Sequence, residues 1–229
     1  MQKRLSSNAI AAAGVAALLA TNVASATVIA TFDDLPNPPP LASPSSLQSV
    51  NNNSLSYKGV TWDSNFTVVG DQYRVDTITP GPLYGKPHSG HYFVTNQSGA
   101  DGLLITTDMV LTGAWFGPNE YFGFGRGADK ITIVALSGAA ELGSVTHALP
   151  AIDTGQPDPL QFVDTSAFLG FSGITGYRID REVPDQFHTN WVADDFQFEI
   201  AQAPNPATIA LIVIGLVALL GMPRRPAPR

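Results

Sequence analysis

Two pairs of adjacent aspartates, Asp33-Asp34 and Asp194-Asp195, stand near opposite ends of the acidic middle of this chain. Antiparallel pairing of the first and last strands would bring the four carboxylates together. Carboxylates at short range repel each other, so one of them must take up a proton or find a cation. Calcium accepts about six to eight oxygen ligands and suits such a cluster. We therefore predict a structural calcium site there; the alternative is four solvated aspartates at strand ends, facing different ways.

Aromatic side chains crowd the segment 114–125 and form a second candidate site. Trp115 and Tyr121 are the predicted ligand-binding residues, because exposed Trp and Tyr rings stack on the C–H faces of sugars. Packing in the core of a β-sandwich would explain the same residues, Trp115 in particular. Trp62 and Trp191 are expected in the core or at strand ends.

No catalytic residue is predicted. His88 and His91 have HxxH spacing, but zinc would need two further well-placed ligands, so we interpret them as incidental histidines of a Pro/Gly loop. The glutamates in strands or loops form no evident pair for glycoside hydrolysis. The sequence contains no Gly-x-Ser-x-Gly elbow, P-loop, HExxH motif or cysteine. A non-catalytic protein is therefore favoured, with a secreted polysaccharide hydrolase or lyase as the alternative.

The elements that must position these residues are short strands. β-branched and aromatic runs recur between Gly and Pro turn signals, without sustained helical periodicity. The predicted strands are 27–32, 57–62, 66–69, 91–95, 103–106, 109–116, 121–124, 130–136, 141–146, 161–163, 174–180 and 191–200. Simple alternation in the last strand places Asp194 on the same face as Phe196 and Phe198. The pattern predicts a single all-β domain, a β-sandwich.

Apolar segments next to positive charge form the two ends of the chain. Residues 1–26 have a cationic start, an apolar run and a small-x-small cleavage site, which predicts a signal peptide and export through the Sec pathway. Residues 207–222 carry no charge and precede Arg224 and Arg225, which predicts a transmembrane helix with its arginines on the cytoplasmic side. The domain is expected to cover residues 27–203.

The charge of that middle region excludes several partners. It holds all 19 acidic residues and 7 of the 12 Lys and Arg, a formal charge of −12. This negative charge repels nucleic acid and anionic lipid, so neither is an expected partner. Without cysteine, no disulfide stabilises the fold.

The C-terminal segment 204–229 resembles the PEP-CTERM sorting signal. The resemblance lies in Pro204, Asn205 and Pro206, the apolar helix and the arginine cluster with Arg224 and Arg225, although Asn205 stands where glutamate is usual. It implies processing by an exosortase, attachment to the inner membrane through the tail before processing, and a place in the envelope, at the surface or in the extracellular matrix of a Gram-negative bacterium.

The middle region resembles the jelly-roll domains that many such proteins carry, which are similar in architecture to galactose-binding and carbohydrate-binding modules. The resemblance lies in the segments 32–35, 57–62, 113–117, 174–179 and 194–198. It implies that the first and last strands lie side by side. We expect an exported cell-surface or extracellular-matrix protein associated with exopolysaccharide, glycan-binding and non-catalytic. The hydrolase or lyase and a purely structural matrix component are the alternatives.

Overall fold

The computed structural model describes residues 26–73, 86–96, 99–119, 127–149, 160–182 and 190–200. One sheet contains β1 (Thr27–Ala30), β2 (Ser45–Ser46), β5 (Phe66–Gly70), β6 (Tyr92–Asn96), β8 (Val110–Pro118), β11 (Gln161–Asp164) and β13 (Trp191–Glu199). The other contains β3 (Ser56–Tyr57), β4 (Val60–Trp62), β7 (Leu103–Thr106), β9 (Lys130–Ser137), β10 (Ala140–Ala148) and β12 (Gly176–Glu182). The described helical elements are α1 (Leu47–Val50) and a 3-10 helix (Ser166–Gly170).

Both sheets are antiparallel throughout. The seven-stranded sheet has the order β11-β8-β13-β6-β5-β2, with β1 also on β13, and the six-stranded sheet has the order β10-β9-β12-β7-β4-β3. The all-β prediction is confirmed. Each predicted strand in the described residues overlaps an observed one, and the predicted strand 121–124 lies outside them.

The predicted strand 57–62 is a hairpin of β3 and β4. Tyr57 pairs with Val60 across a two-residue turn in which Lys58 has φ 56° and Gly59 has φ 75°. Positive φ at both central residues matches the right-handed twist of the flanking strands and reverses the chain within two residues.

Aromatic rings fill the space between the two sheets. Trp62 of the six-stranded sheet lies 5.1 Å from Phe196 of the seven-stranded sheet, measured between ring centroids, and 5.2 Å from both Phe32 and Phe66. Edge-to-face contacts of this kind add to the free energy gained by burial. Trp62 is 1% exposed and Trp191 is fully buried, as expected for core residues.

The first and last strands pair as expected. β1 is antiparallel to β13, with Ala30 opposite Phe196. The expected alternation within β13 is wrong, because a register shift follows Asp194. Phe196 faces the core, whereas Asp194 pairs with Trp115 on the outer face of the sheet.

Residues 26–200 form one compact unit. The predicted signal peptide and sorting tail, including the helix 207–222, fall outside the described residues except for residue 26. Within the described ranges, no helix has the length and apolar character needed to cross a membrane.

Candidate functional site

A β-bulge in β13 directs two consecutive aspartates to the same side of the seven-stranded sheet. Asp194 lies opposite Trp115 of β8, while the preceding Ala193 belongs to the core. The register shifts after Asp194, and Asp195 has a φ of 48°. Aspartate tolerates this left-handed conformation better than most residues do. Both carboxylates therefore reach one turn of the chain on the outer face.

That turn, residues 86–91, is called the His88 turn below. The backbone N–H groups of His88 and Ser89 donate to Asp194 Oδ2, over 2.8 and 3.0 Å. The Ser89 hydroxyl donates to Asp195 Oδ1 over 2.8 Å, and His88 Nδ1 lies 2.6 Å from Asp195 Oδ2. Two adjacent carboxylates thus hold the turn through both its backbone and its side chains.

Asp194 is an acid in an unusual environment, since its side chain is fully buried. Burial and, to a lesser degree, the nearby charge of Asp195 raise the pKa of Asp194 to about 8, although the N–H groups of Ser89, Asp195 and His88 act in the opposite direction. A carboxyl with such a pKa changes its protonation near neutral pH.

Asp33 binds the other end of the His88 turn. Its Oδ1 accepts the N–H groups of His91 and Tyr92, over 2.7 and 3.2 Å. Gly90 has a φ of 57°, and a Cβ at this position would overlap the Asp33 carboxylate. The close approach of Asp33 therefore requires glycine at position 90.

His91 Nδ1 lies 2.8 Å from Asp71 Oδ2, and this hydrogen bond raises the pKa of His91.

Asp34 points elsewhere, to the β3–β4 hairpin. Its carboxylate accepts hydrogen bonds from the Tyr57 hydroxyl and the Lys58 ammonium. Burial acts to raise the pKa of Asp34, but the bonds from Lys58 and Tyr57 outweigh it and hold that pKa below its usual value. The structure thus brings three of the four predicted metal ligands, Asp33, Asp194 and Asp195, onto one turn and separates Asp34 from them.

Protein donors engage all four aspartates. In the part of the chain that the structure describes, no group of three or more His, Cys, Asp or Glu is placed to hold a metal ion. The calcium site stays a prediction.

Three rings form a row on the outer face of the seven-stranded sheet, called the aromatic row below: Phe162, Trp115 and His88. The imidazole of His88 stacks on the indole of Trp115 with centroids 3.6 Å apart and planes 11° apart. Phe162 pairs with Trp115 across β11 and β8, with centroids 5.5 Å apart. Phe162 is 39% exposed, the His88 side chain is 38% exposed, and Trp115 is half-buried. The row thus presents ring surface to solvent.

Glycine makes room for this row. Phe162 lies over Gly113 of β8, where any Cβ would overlap the Phe162 ring. Trp115 also packs against a small second cluster on the outer face, formed by Val69, Phe93, Leu160 and Val192. Trp115 is therefore part of an outer-face cluster, separate from the core between the sheets.

Sequence reasoning missed Phe162 as a site residue, and it also missed His88, which was interpreted as an incidental loop histidine. Its Nδ1 is bonded to Asp195, and Nε2 makes no hydrogen bond with the described residues. The only local signal is a histidine beside serine and glycine in a Pro/Gly turn, which does not identify a partner 107 residues away. The remaining predicted site residues lie outside the described ranges: Tyr121, Pro204, Asn205, Pro206, Arg224 and Arg225.

Comparisons with known proteins find no matching family model and no matching curated protein. Among solved structures, a DUF4465 family protein from Bacteroides ovatus is similar with a TM-score of 0.44 and 13% identity, over 78% of this chain and 100% of that chain. The K2 cleaved adhesin domain of Lys-gingipain is similar with a TM-score of 0.41 and 14% identity, over 76% of this chain and 100% of that chain. At these values neither likeness bears on function.

Proposed function

We propose that this domain is a non-catalytic glycan-binding module and that the aromatic row is its contact surface. The observation that carries the proposal is the row itself: His88 stacks on Trp115, Phe162 contacts Trp115 at a tilt of 58°, and Phe162 and His88 are each more than a third exposed. Exposed rings in this arrangement offer an apolar surface to the C–H face of a pyranose.

Polar groups beside the row supply the second half of a sugar site. Small-ligand sites combine apolar surface with a few placed hydrogen-bonding groups. His88 Nε2 has no partner among the described residues, and its ring is held in orientation by Asp195. In this proposal, His88 Nε2 makes a hydrogen bond with a hydroxyl of the sugar that contacts the row.

The proposed setting comes from the sequence. The signal peptide over 1–26 and the PEP-CTERM-like tail over 204–229 support an exported protein at the cell surface or in the extracellular matrix of a Gram-negative bacterium, processed by an exosortase and associated with exopolysaccharide. A jelly-roll-like arrangement, resembling galactose-binding and carbohydrate-binding modules, is the proposed form of the observed two-sheet fold.

A glycan array with the full chain, purified in mild detergent, tests the proposal. We expect binding to at least one class of polysaccharide and a loss of that binding in Phe162→Ala. Absence of binding across a broad panel would support the alternative of a purely structural matrix component.

A second candidate function is a polysaccharide hydrolase or lyase, favoured by the His88–Asp195 pair. A carboxylate that orients a histidine through Nδ1 leaves Nε2 able to exchange protons with a substrate. Incubation with isolated polysaccharides distinguishes the two functions. The glycan-binding proposal expects no products, whereas product release that disappears in His88→Gln would establish the enzyme.

A further inference from the structure

Charge is divided unevenly between the two sheets. The strands of the seven-stranded sheet contain four acidic residues, Asp164, Asp194, Asp195 and Glu199, and no lysine or arginine. The strands of the six-stranded sheet carry both signs: Glu141, Asp180 and Glu182 with Lys130, Arg178 and Arg181. Asp194 is fully buried and its pKa of about 8 leaves it uncharged at slightly acidic pH, so the charge on the sheet that carries the aromatic row comes from Asp164, Asp195 and Glu199.

An exposed carboxylate flanks the row directly. Asp164 is two residues after Phe162 in β11 and therefore on the same outer face. Its Oδ1 accepts the backbone N–H of Ser166 over 2.8 Å, and this bond holds the pKa of Asp164 below its usual value. At the other end of the row, Asp195 is bonded to His88. Asp164 is therefore the exposed carboxylate beside the row, whereas the Asp195 side chain is only 9% exposed.

Three of the five described lysines and arginines pair with carboxylates within the six-stranded sheet or at its β3–β4 hairpin, and Arg181 lies in β12 of that sheet. Lys130 pairs with Glu182, and Arg178 pairs with Glu141 and Asp180, all within the six-stranded sheet. Lys58 pairs with Asp34 at the β3–β4 hairpin. Lys86 lies in the His88 turn and is the described lysine next to the row along the chain; Arg74 and Arg126 lie outside the described residues.

From this charge complementarity we propose that the ligand of the aromatic row is a glycan with free amino groups, a glucosamine-type polymer. The inference rests on the proposed glycan-binding function and names its ligand class. Each protonated amine of such a polymer meets an acidic surface while the pyranose ring stacks on the row. A uronate polymer would bring carboxylates to the same surface and be repelled.

Three matched hexasaccharides test the inference on the full chain in mild detergent: glucosamine, N-acetylglucosamine and galacturonate. Binding is measured at a slightly acidic pH, where the amines are protonated, in low and in high salt. We expect the glucosamine oligomer to bind about tenfold more tightly than its N-acetylated form in low salt, with several weak charge contacts acting together. The ratio should shrink in high salt, because surface charges are then screened.

Two matched variants locate the effect. Asp164→Asn keeps an acceptor for the Ser166 N–H but removes the charge, and should lower glucosamine binding about two- to fivefold. Asp63→Asn is the control, because Asp63 accepts the N–H of Asn65 in the same local geometry but follows β4 of the six-stranded sheet. It should leave binding unchanged. Phe162→Ala should weaken binding of both glucosamine and N-acetylglucosamine oligomers.

The outcomes separate the two proposals. Equal binding of the glucosamine and N-acetylglucosamine oligomers, or tighter binding of galacturonate, overturns the ligand class and leaves glycan binding standing. No binding of any sugar overturns both. Polylysine that binds as tightly as the glucosamine oligomer, together with an unaffected Phe162→Ala variant, would show attraction by charge alone and overturn docking on the aromatic row.

Discussion

The imidazole ring of His88 lies flat on the indole ring of Trp115, with centroids 3.6 Å apart and planes 11° apart. Two independent constraints hold it there. Asp195 binds the imidazole at Nδ1, and Asp194 binds the backbone N–H of His88. The stack therefore depends on the bulge that turns both aspartates to one face of β13.

Replacing Phe162 by alanine tests whether the aromatic row binds sugar. We expect Phe162→Ala to weaken glycan binding about five- to tenfold through the lost ring stacking, with a smaller effect on folding because the ring is 39% exposed. Titration calorimetry gives the affinity, and urea unfolding gives the stability. Leu169→Ala is the control, since Leu169 is 51% exposed in the 3-10 helix and is not one of the rings of the row. Equal losses in both variants would contradict a specific role for Phe162.

Gly90 is a position where an added Cβ would overlap the Asp33 carboxylate. Gly90→Ala should lower the free energy of unfolding by about 3 kcal/mol, because a left-handed residue gains a Cβ and the Asp33 carboxylate must leave its two N–H donors. Gly138→Ala is the matched control, with a φ of 59° and open space around the added Cβ. It should cost only about 1 kcal/mol. Similar urea midpoints for the two variants would argue against the Asp33 contact.

The burial of Asp194 predicts a pH dependence of stability. Its pKa is about 8 in the folded protein against 3.8 for an ordinary aspartate, so the folded state holds a proton that the unfolded state has lost between these values. Stability from this group is therefore complete below the lower value and falls as pH rises toward the upper one, by up to about 1.4 kcal/mol per pH unit. His91, whose pKa is raised by Asp71, acts in the same direction.

Urea unfolding across this pH window measures the slope, and Asp194→Asn should flatten it. The variant is expected to be less stable at low pH, because an amide nitrogen replaces one of the accepting oxygens, and this deficit should shrink as pH rises, so the slope is the decisive quantity. A slope that is the same in both proteins would show that Asp194 is ionised throughout.

The calcium prediction is tested by thermal unfolding. If the cluster around Asp33, Asp194 and Asp195 binds calcium, the ion at about a hundred times its Kd stabilises the folded state by about 2.7 kcal/mol and raises Tm by several degrees relative to chelator. Magnesium serves as the ion control, and Asp195→Asn should abolish the shift. A melting midpoint that is the same with calcium and with chelator would contradict the calcium prediction.

The strands were predictable from the sequence because their signals are local. Runs such as 103–106 and 130–136 combine β-branched residues with flanking turn residues, and both overlap observed strands. The core positions of Trp62 and Trp191 follow from the same patterns. The hairpin at Lys58-Gly59 was not predicted, because positive φ at a lysine is decided by the pairing of β3 with β4.

The all-β class and the acidic character of the domain thus follow from the amino-acid sequence, which also marks Asp33-Asp34 and Asp194-Asp195 as residues of interest. Which of these aspartates act together depends on the fold. A single extra residue in β13 reversed the face of Asp194, and Asp34 turned to Lys58 while Asp33 turned to the His88 turn. Side-chain period along a strand is a local property, whereas contact between residues 88 and 195 depends on how distant strands are ordered in a sheet.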